Sequence, residues 1–213
     1  MALTYPYPLD FLAKCIIGQT IPLDLQRFDE MSGGGDGRMW TTELARPLWS
    51  VSYDLFTRTA VEGRGINAKV RALDGFAKPM LWADPYYPGP ASGVTTGLDS
   101  VTVSGIRPDR GGIGLSGLPA GFVLTTGDRF TITYASGRVY MGEFSEGGTA
   151  GPLGNISEVR EIRPYLPFGV STGAAIELVR PYFKAGVTSF TPFASERRRR
   201  WGVGASISLI QKP

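Results

Sequence analysis

Between Ser116 and Phe144 three short extended runs follow one another: Phe122–Thr126, Arg129–Tyr134 and Arg138–Phe144. Gly127-Asp128 and Ser136-Gly137 separate them. In the middle run Phe130, Ile132 and Tyr134 alternate with Arg129, Thr131 and Thr133. A period of two suits a half-buried strand, because successive side chains leave opposite faces of a sheet. The residues between the runs tolerate the positive φ that tight turns demand. The stretch predicts an antiparallel meander, the nucleus of a small barrel.

Two more alternations stand far apart in the chain. In Leu48–Phe56, Trp49, Val51, Tyr53 and Leu55 share one face, with Ser50, Ser52 and Asp54 on the other. Near the C-terminus Trp201, Val203, Ala205, Ile207 and Leu209 oppose Gly202, Gly204, Ser206 and Ser208. A strand with one apolar face needs a sheet to join, and each of these is the natural partner of the other. This predicts an outer domain built from both chain ends, residues 1–98 with 183–213. Inserted between them, residues 99–182 read as strand and turn. Val101 and Val103 open the set, and Ile156–Ile162 and Ala174–Val179 follow the meander. That spacing suits a small barrel of the oligonucleotide/oligosaccharide-binding (OB) type. The expected class is mainly β: a discontinuous β-sandwich or sheet domain with one helix, plus an inserted OB-like barrel. With 29 Gly and 16 Pro in 213 residues, composition favours short strands and many turns.

The rest of the first half is less regular. Residues 1–37 predict loops, short strands at Ile16-Ile17 and Ile21–Leu25, and a flexible glycine loop at Ser32–Gly37. Pro22 weakens the second strand. Arg38–Leu44 is expected to pair with Leu48–Phe56 across a connection at Ala45-Arg46-Pro47. Thr59 and Glu62 form a capping box for a helix running to Phe76. Ile66, Val70, Leu73 and Ala77 would be its buried stripe, Gly63 and Gly65 weaken its first turns, and Gly75 would stop it. Met80–Asp84 predicts a strand, and Pro85–Pro90 ends regular structure.

The chain holds no histidine, which removes Ser-His-Asp and Cys-His catalysis and most zinc sites. Its one cysteine, Cys15, lies in an apolar neighbourhood and reads as a buried structural thiol. No apolar run approaches the roughly 20 residues of a membrane helix. The first residues do not pattern as a secretory signal, so synthesis in a cytoplasm is expected. The spelling Gly112-Ile-Gly114-Leu-Ser-Gly117 matches a dinucleotide fingerprint, but a strand rather than a helix follows it, and the glycines are better suited to turns. Tyr86-Tyr87 could offer exposed rings to a sugar, but reads better as a turn packed on the domain surface. Carboxylates are scattered, and no catalytic, cofactor or metal residue is predicted. A net charge of +3 does not point to nucleic acid. The strongest charge feature, Arg197-Arg198-Arg199-Arg200, is a candidate contact with a protein partner.

Trp49–Phe56, the helix with Val70 and Leu73, and Met80–Pro85 resemble the N-terminal part of the distal tail proteins of long-tailed (siphovirus-like) bacteriophages. Leu115–Gly121, the Thr126–Phe130 turn and Ile162–Tyr165 resemble the second half of such proteins. The resemblance implies a hexameric ring of identical subunits at the virion tail tip, joining the tail tube protein to the tail hub protein. It implies a structural role without enzymatic activity or cofactor. The ring passes DNA, so Arg197–Arg200 is expected to lie away from the lumen. The alternative is a carbohydrate-binding module for host-surface attachment, which requires an aromatic groove and sugar binding by the 99–182 segment. Binding of single-stranded nucleic acid by the barrel is a third reading, disfavoured by the small basic excess. Neither a membrane nor a specific nucleic-acid sequence is an expected partner.

Overall fold

A computed structural model describes residues 3–16, 19–57, 59–135, 137–194 and 202–212, with backbone alone described at 202 and 203. The fold is mainly β, with one α-helix. A short 3-10 turn, Ala13–Cys15, precedes β1 (Leu23–Gly33), β2 (Met39–Thr57), α1 (Ala60–Arg71) and β3 (Met80–Ala83). Next come β4 (Thr102–Ile106), β5 (Gly112–Ser116), β6 (Val123–Leu124), β7 (Arg129–Tyr134), β8 (Arg138–Phe144) and β9 (Gly148–Thr149). The chain closes with β10 (Ile156–Arg163), β11 (Ile176–Glu177), β12 (Tyr182–Thr191) and β13 (Gly202–Gln211).

Both chain ends contribute to one five-stranded sheet in the order β1-β2-β13-β12-β3. β13 runs antiparallel to β2, with Ile207 opposite Tyr53 and Leu209 opposite Val51. Thus the two distant alternations share one buried face. Trp49, Val51, Tyr53 and Leu55 pack there with Ala205, Ile207 and Leu209, while Val70 and Leu73 from the helical segment and Leu12 and Cys15 from the N-terminal segment cover them. Trp201 lies outside the described residues, and the side chain of Val203 is not described.

Three local expectations need correction. Arg38–Leu44 and Leu48–Phe56 are not two strands joined at Ala45–Pro47; they are one 19-residue strand, β2. Its partner is β1, an 11-residue strand where loops and a short Ile21–Leu25 run were expected. Pro47 is accommodated because the register shifts around Arg27, where Gln26 faces Leu48 and Phe28 faces Ala45. A bulge frees the position that lacks an N–H from ladder duty.

The helix stops at Arg71 rather than Phe76, since Asp74 and Gly75 take positive φ (53° and 65°). Its capping box is present: Thr59 Oγ1 accepts from Glu62 N, and Glu62 accepts from Thr59 N, each at 3.2 Å. Within it the buried residues are Gly63, Asn67 and Val70, whereas Ile66 is half-buried. Asn67 is tolerated inside because Phe193 satisfies it twice, as donor at 3.0 Å and as acceptor at 3.2 Å. A Cβ on Gly63 would lie 3.2 Å from the Phe193 ring, so this glycine permits close approach.

The third correction concerns the meander. β7 and β8 form the expected hairpin, but Val123–Leu124 pairs with β9 instead of β7. The buried Asp128 explains the departure: its carboxylate accepts from Thr125 N and Ala91 N, both at 2.8 Å, turning the chain away. The second sheet has the order β11-β7-β8-β10-β5-β4 and curls until its edges meet. Val103 N donates to Ala174 O at 3.0 Å, Gly173 N to Val103 O at 2.8 Å and Ile176 N to Val101 O at 2.9 Å. The result is barrel-like, filled by Phe130, Ile132, Phe144, Ile113, Leu115 and Ile162. Gly112 and Gly114 belong to strand β5, where a Cβ would lie 2.7 Å from Val159 Cγ1 or 2.8 Å from Ser104 Oγ. Gly117 takes φ 82°, and a Cβ there would reach 2.3 Å from Ser100 O. Turns were expected of all three glycines; only Gly117 serves one, while Gly112 and Gly114 permit close contact within the sheet.

Polar groups join the two sheets across a closed junction. Trp49 Nε1 donates to Met141 O at 2.8 Å, and the Met141 side chain packs in the five-stranded sheet's cluster. Thr131, expected on a polar outer face, is buried here: its hydroxyl donates to Tyr182 O (2.7 Å) and accepts from Tyr182 N (2.6 Å). Arg129 binds Asp84 at 2.8 Å and Glu143 at 3.3 Å, and its guanidinium lies over the Trp49 and Tyr87 rings. Tyr87 Oη accepts from Arg129 N at 2.9 Å, so this tyrosine braces the junction.

Candidate assembly interface

β1 and the first part of β2 project beyond the sheet as a two-stranded arm. β13 accompanies β2 only from Thr57 to Ser50, and Gln211 Oε1 takes the N–H of Trp49 where β13 runs out. Past that point, among the described residues, β2 has β1 as its only neighbour, and β1 is an edge strand along its whole length. Gly34 N donates to Arg38 O at 2.8 Å and Gly37 takes φ 79°, which closes the tip. The glycine loop expected at Ser32–Gly37 is therefore a hairpin turn whose first two residues still belong to β1. From Leu48 to Met39 the arm extends about 30 Å at the usual rise of a strand.

Register assigns the arm's two faces. Trp40 opposite Ser32 and Thr42 opposite Glu30 lie on one; Met39 opposite Gly33, Thr41 opposite Met31 and Glu43 opposite Asp29 lie on the other. Both faces carry large apolar groups: Trp40 is 67% exposed, Met39 69%, Met31 66% and Leu44 66%. Scattered apolar side chains are ordinary on a surface, but four on one thin ribbon give both of its faces contact surface. A lone two-stranded ribbon is also marginally stable in water. An arm of this kind gains order and loses exposed surface when a partner covers it.

At the arm's base a cleft of about 430 Å³ opens between β2 and the barrel, with Arg46, Tyr134, Arg138, Tyr165 and Phe168 among its walls. Phe168 is 78% and Tyr165 42% exposed. Arg46 and Arg110 sit over the Phe168 ring at 5.2 and 5.3 Å, and Arg163 over Tyr165 at 4.9 Å. Arg110 takes positive φ (61°) and donates to the carbonyls of Leu166, Pro167 and Val170, which shapes the Phe168 loop. Tyr140 donates to Pro164 O beneath it, and burial pushes this phenol up. Glu161 is held below the usual carboxylate range by hydrogen bonds from Arg163 and Arg107. Arg46 and Arg138, by contrast, have no carboxylate within ion-pair distance among the described residues.

The candidate partner contact at Arg197–Arg200 lies outside the described residues, in the connection between β12 and β13. Neither the arm nor the cleft was identified from sequence. Trp40 and Met39 were legible as apolar, but only the fold shows that both are exposed among the described residues. Cys15 is buried and its thiol is pushed up, chiefly by burial, as a structural thiol should be. Among the described residues no group of acidic and sulfur side chains is arranged to hold a metal, and no helix is long and apolar enough to cross a membrane. No protein-family model matches the chain, and no curated protein matches it.

Proposed function

We propose that this protein is a structural ring subunit at the tip of a long-tailed, phage-like particle, joining the tail tube to the hub. The carrying observation is the projecting arm, with its open strand edge and four uncovered apolar side chains. A surface of that kind suits permanent contact with another protein, and self-contact between two different surfaces closes rings. The bonds across the junction at Arg129 and Trp49 support the same reading, because a ring subunit must hold its parts at a fixed angle. Hexamers are the expected assembly and the virion tail tip the expected location. Mass photometry and negative-stain imaging of the purified chain test this: six-fold rings are expected, and a monomer at every attainable concentration, with or without a tail tube end, would sink it.

The second reading, attachment to host-surface carbohydrate, is favoured by the exposed faces of Tyr165 and Phe168 in the arginine-edged cleft. Aromatic faces of this kind stack on sugar rings. Glycan-array binding that disappears in Phe168→Ala would select it.

A further inference from the structure

We infer that the cleft at the base of the arm receives the arm tip of a second copy of this chain, with Trp40 as the anchor. The inference rests on the ring reading and names the two surfaces that build it. Reach is the first argument. Trp40 sits eight residues along an extended, paired strand from Leu48, which is about 26 Å at the usual strand rise. A tip that far from its own cleft, on a ribbon paired along its length, cannot fold back into it. The tip that enters must come from another molecule.

Chemistry is the second argument. The tip offers an indole, two methionines and an excess of carboxylates. Residues 27–44 hold Asp29, Glu30, Asp36 and Glu43 against Arg27 and Arg38. Arg27 is engaged by Asp29 and Arg38 by Asp36, so Glu30 and Glu43 remain without an ion pair among the described residues. The cleft offers the complement: apolar and aromatic walls with Arg46 and Arg138 at their edges, free of any described carboxylate. Glu161 stands nearby, but Arg107 and Arg163 already engage it. Glu30, paired with Thr42, shares the Trp40 face of the arm, whereas Glu43 lies on the other, so Glu30 is the acid that enters beside Trp40. An aromatic anchor seated in a pocket with charge complementarity at its rim is the usual form of an interface hot spot. Arm and cleft are different surfaces, so each copy donates one and receives one. Such a head-to-tail contact closes into a ring when the rotation between copies permits.

Disulfide trapping tests the contact on the full-length chain. Thr42→Cys, on the Trp40 face and leaving the anchor in place, and Phe168→Cys are both at exposed positions, and the only native cysteine is buried. On oxidation, a mixture of the two single variants is expected to yield a crosslinked pair joined through residues 42 and 168. Each variant alone is expected to give far less. R46E combined with R138E should weaken self-association by about tenfold or more, as like charges meet across the contact. Rings that form without the 42–168 crosslink would overturn the arm-in-cleft contact while leaving the ring reading standing. Crosslinks only between two copies of the Thr42→Cys variant would show arm-to-arm pairing and overturn it as well. Glycan binding abolished by Phe168→Ala, with assembly intact, would give the cleft to sugar. A chain that never self-associates would remove the ring reading and this contact together.

Discussion

Arg129 shows how one side chain joins two packing layers. It bridges Asp84, just after β3, to Glu143 on β8, and it stacks between Trp49 and Tyr87. Asp84 and Arg129 keep only 18% and 20% of their side-chain surface exposed, so truncating the arginine leaves a largely desolvated carboxylate without its partner. Arg129→Ala is expected to cost about 2 kcal/mol in urea unfolding; a loss under about 0.5 kcal/mol would show that other contacts carry the junction. The neighbouring Tyr87 makes a second prediction, on pH. Burial, the larger cause, pushes its phenol up to about 12, while the bond from Arg129 N opposes the shift. An unfolded tyrosine ionises near pH 10. Its contribution to stability is therefore fully present below about pH 10 and is lost as pH rises toward 12, because only the unfolded state releases the proton there. Tyr53 and Tyr140 are pushed up by burial too and add to the same alkaline loss. Tyr87→Phe should make the fall in unfolding midpoint across this window shallower than in the natural chain; an unchanged slope would show that Tyr87 ionises alike in both states.

At the scale of elements, what could be read in advance was what local chemistry decides alone. The Thr59–Glu62 capping box, the β7–β8 hairpin and the Met80 strand depend on neighbours in sequence. The arm escaped notice because its alternation is hidden. Both faces are solvated, so Met39 and Trp40 stand side by side instead of two apart, and Pro47 imitates a strand end. Only a bulge, in which Arg46 and Pro47 of β2 together face Arg27 of β1, lets β2 pass through the proline, and it shows only once the partner is in place. Gly63, read only as a weakness of the first turns, sits where the helix meets the Phe193 side chain, and Asn67 binds the Phe193 backbone, 126 residues away in sequence. A deletion isolates the arm's own role. Replacing residues 29–44 by an Asn-Gly turn removes no side chain from either apolar cluster. Stability is expected to change by less than about 0.5 kcal/mol, while self-association in sedimentation velocity is lost. An arm-less chain that still assembles would move the interface elsewhere.

For the whole molecule the decisive feature is how the curled sheet is seated on the open one. The meeting of the chain ends in one sheet was legible, since two one-faced strands had no other partner. The seating was not. Thr131 looked like a surface residue because alternation reports that a side chain leaves the core of its own sheet, not that a second sheet waits on the far side. Met141 likewise belongs by sequence to the barrel strand β8 and by packing to the other cluster. Two cores bridged by the Met141 side chain, by the Thr131 hydroxyl on both main-chain groups of Tyr182 and by Arg129 cannot separate without leaving buried polar groups unpaired. Unfolding should therefore be a single cooperative transition despite the two sheets. Calorimetry at a concentration below the onset of assembly is expected to show one peak with calorimetric and van't Hoff enthalpies in agreement. Trp49→Phe, which removes the indole bond to Met141 O and keeps an aromatic ring, should lower the peak temperature without dividing it. Two resolved peaks in the natural chain would mean that the sheets fold independently, and that any ring they build is hinged between its layers.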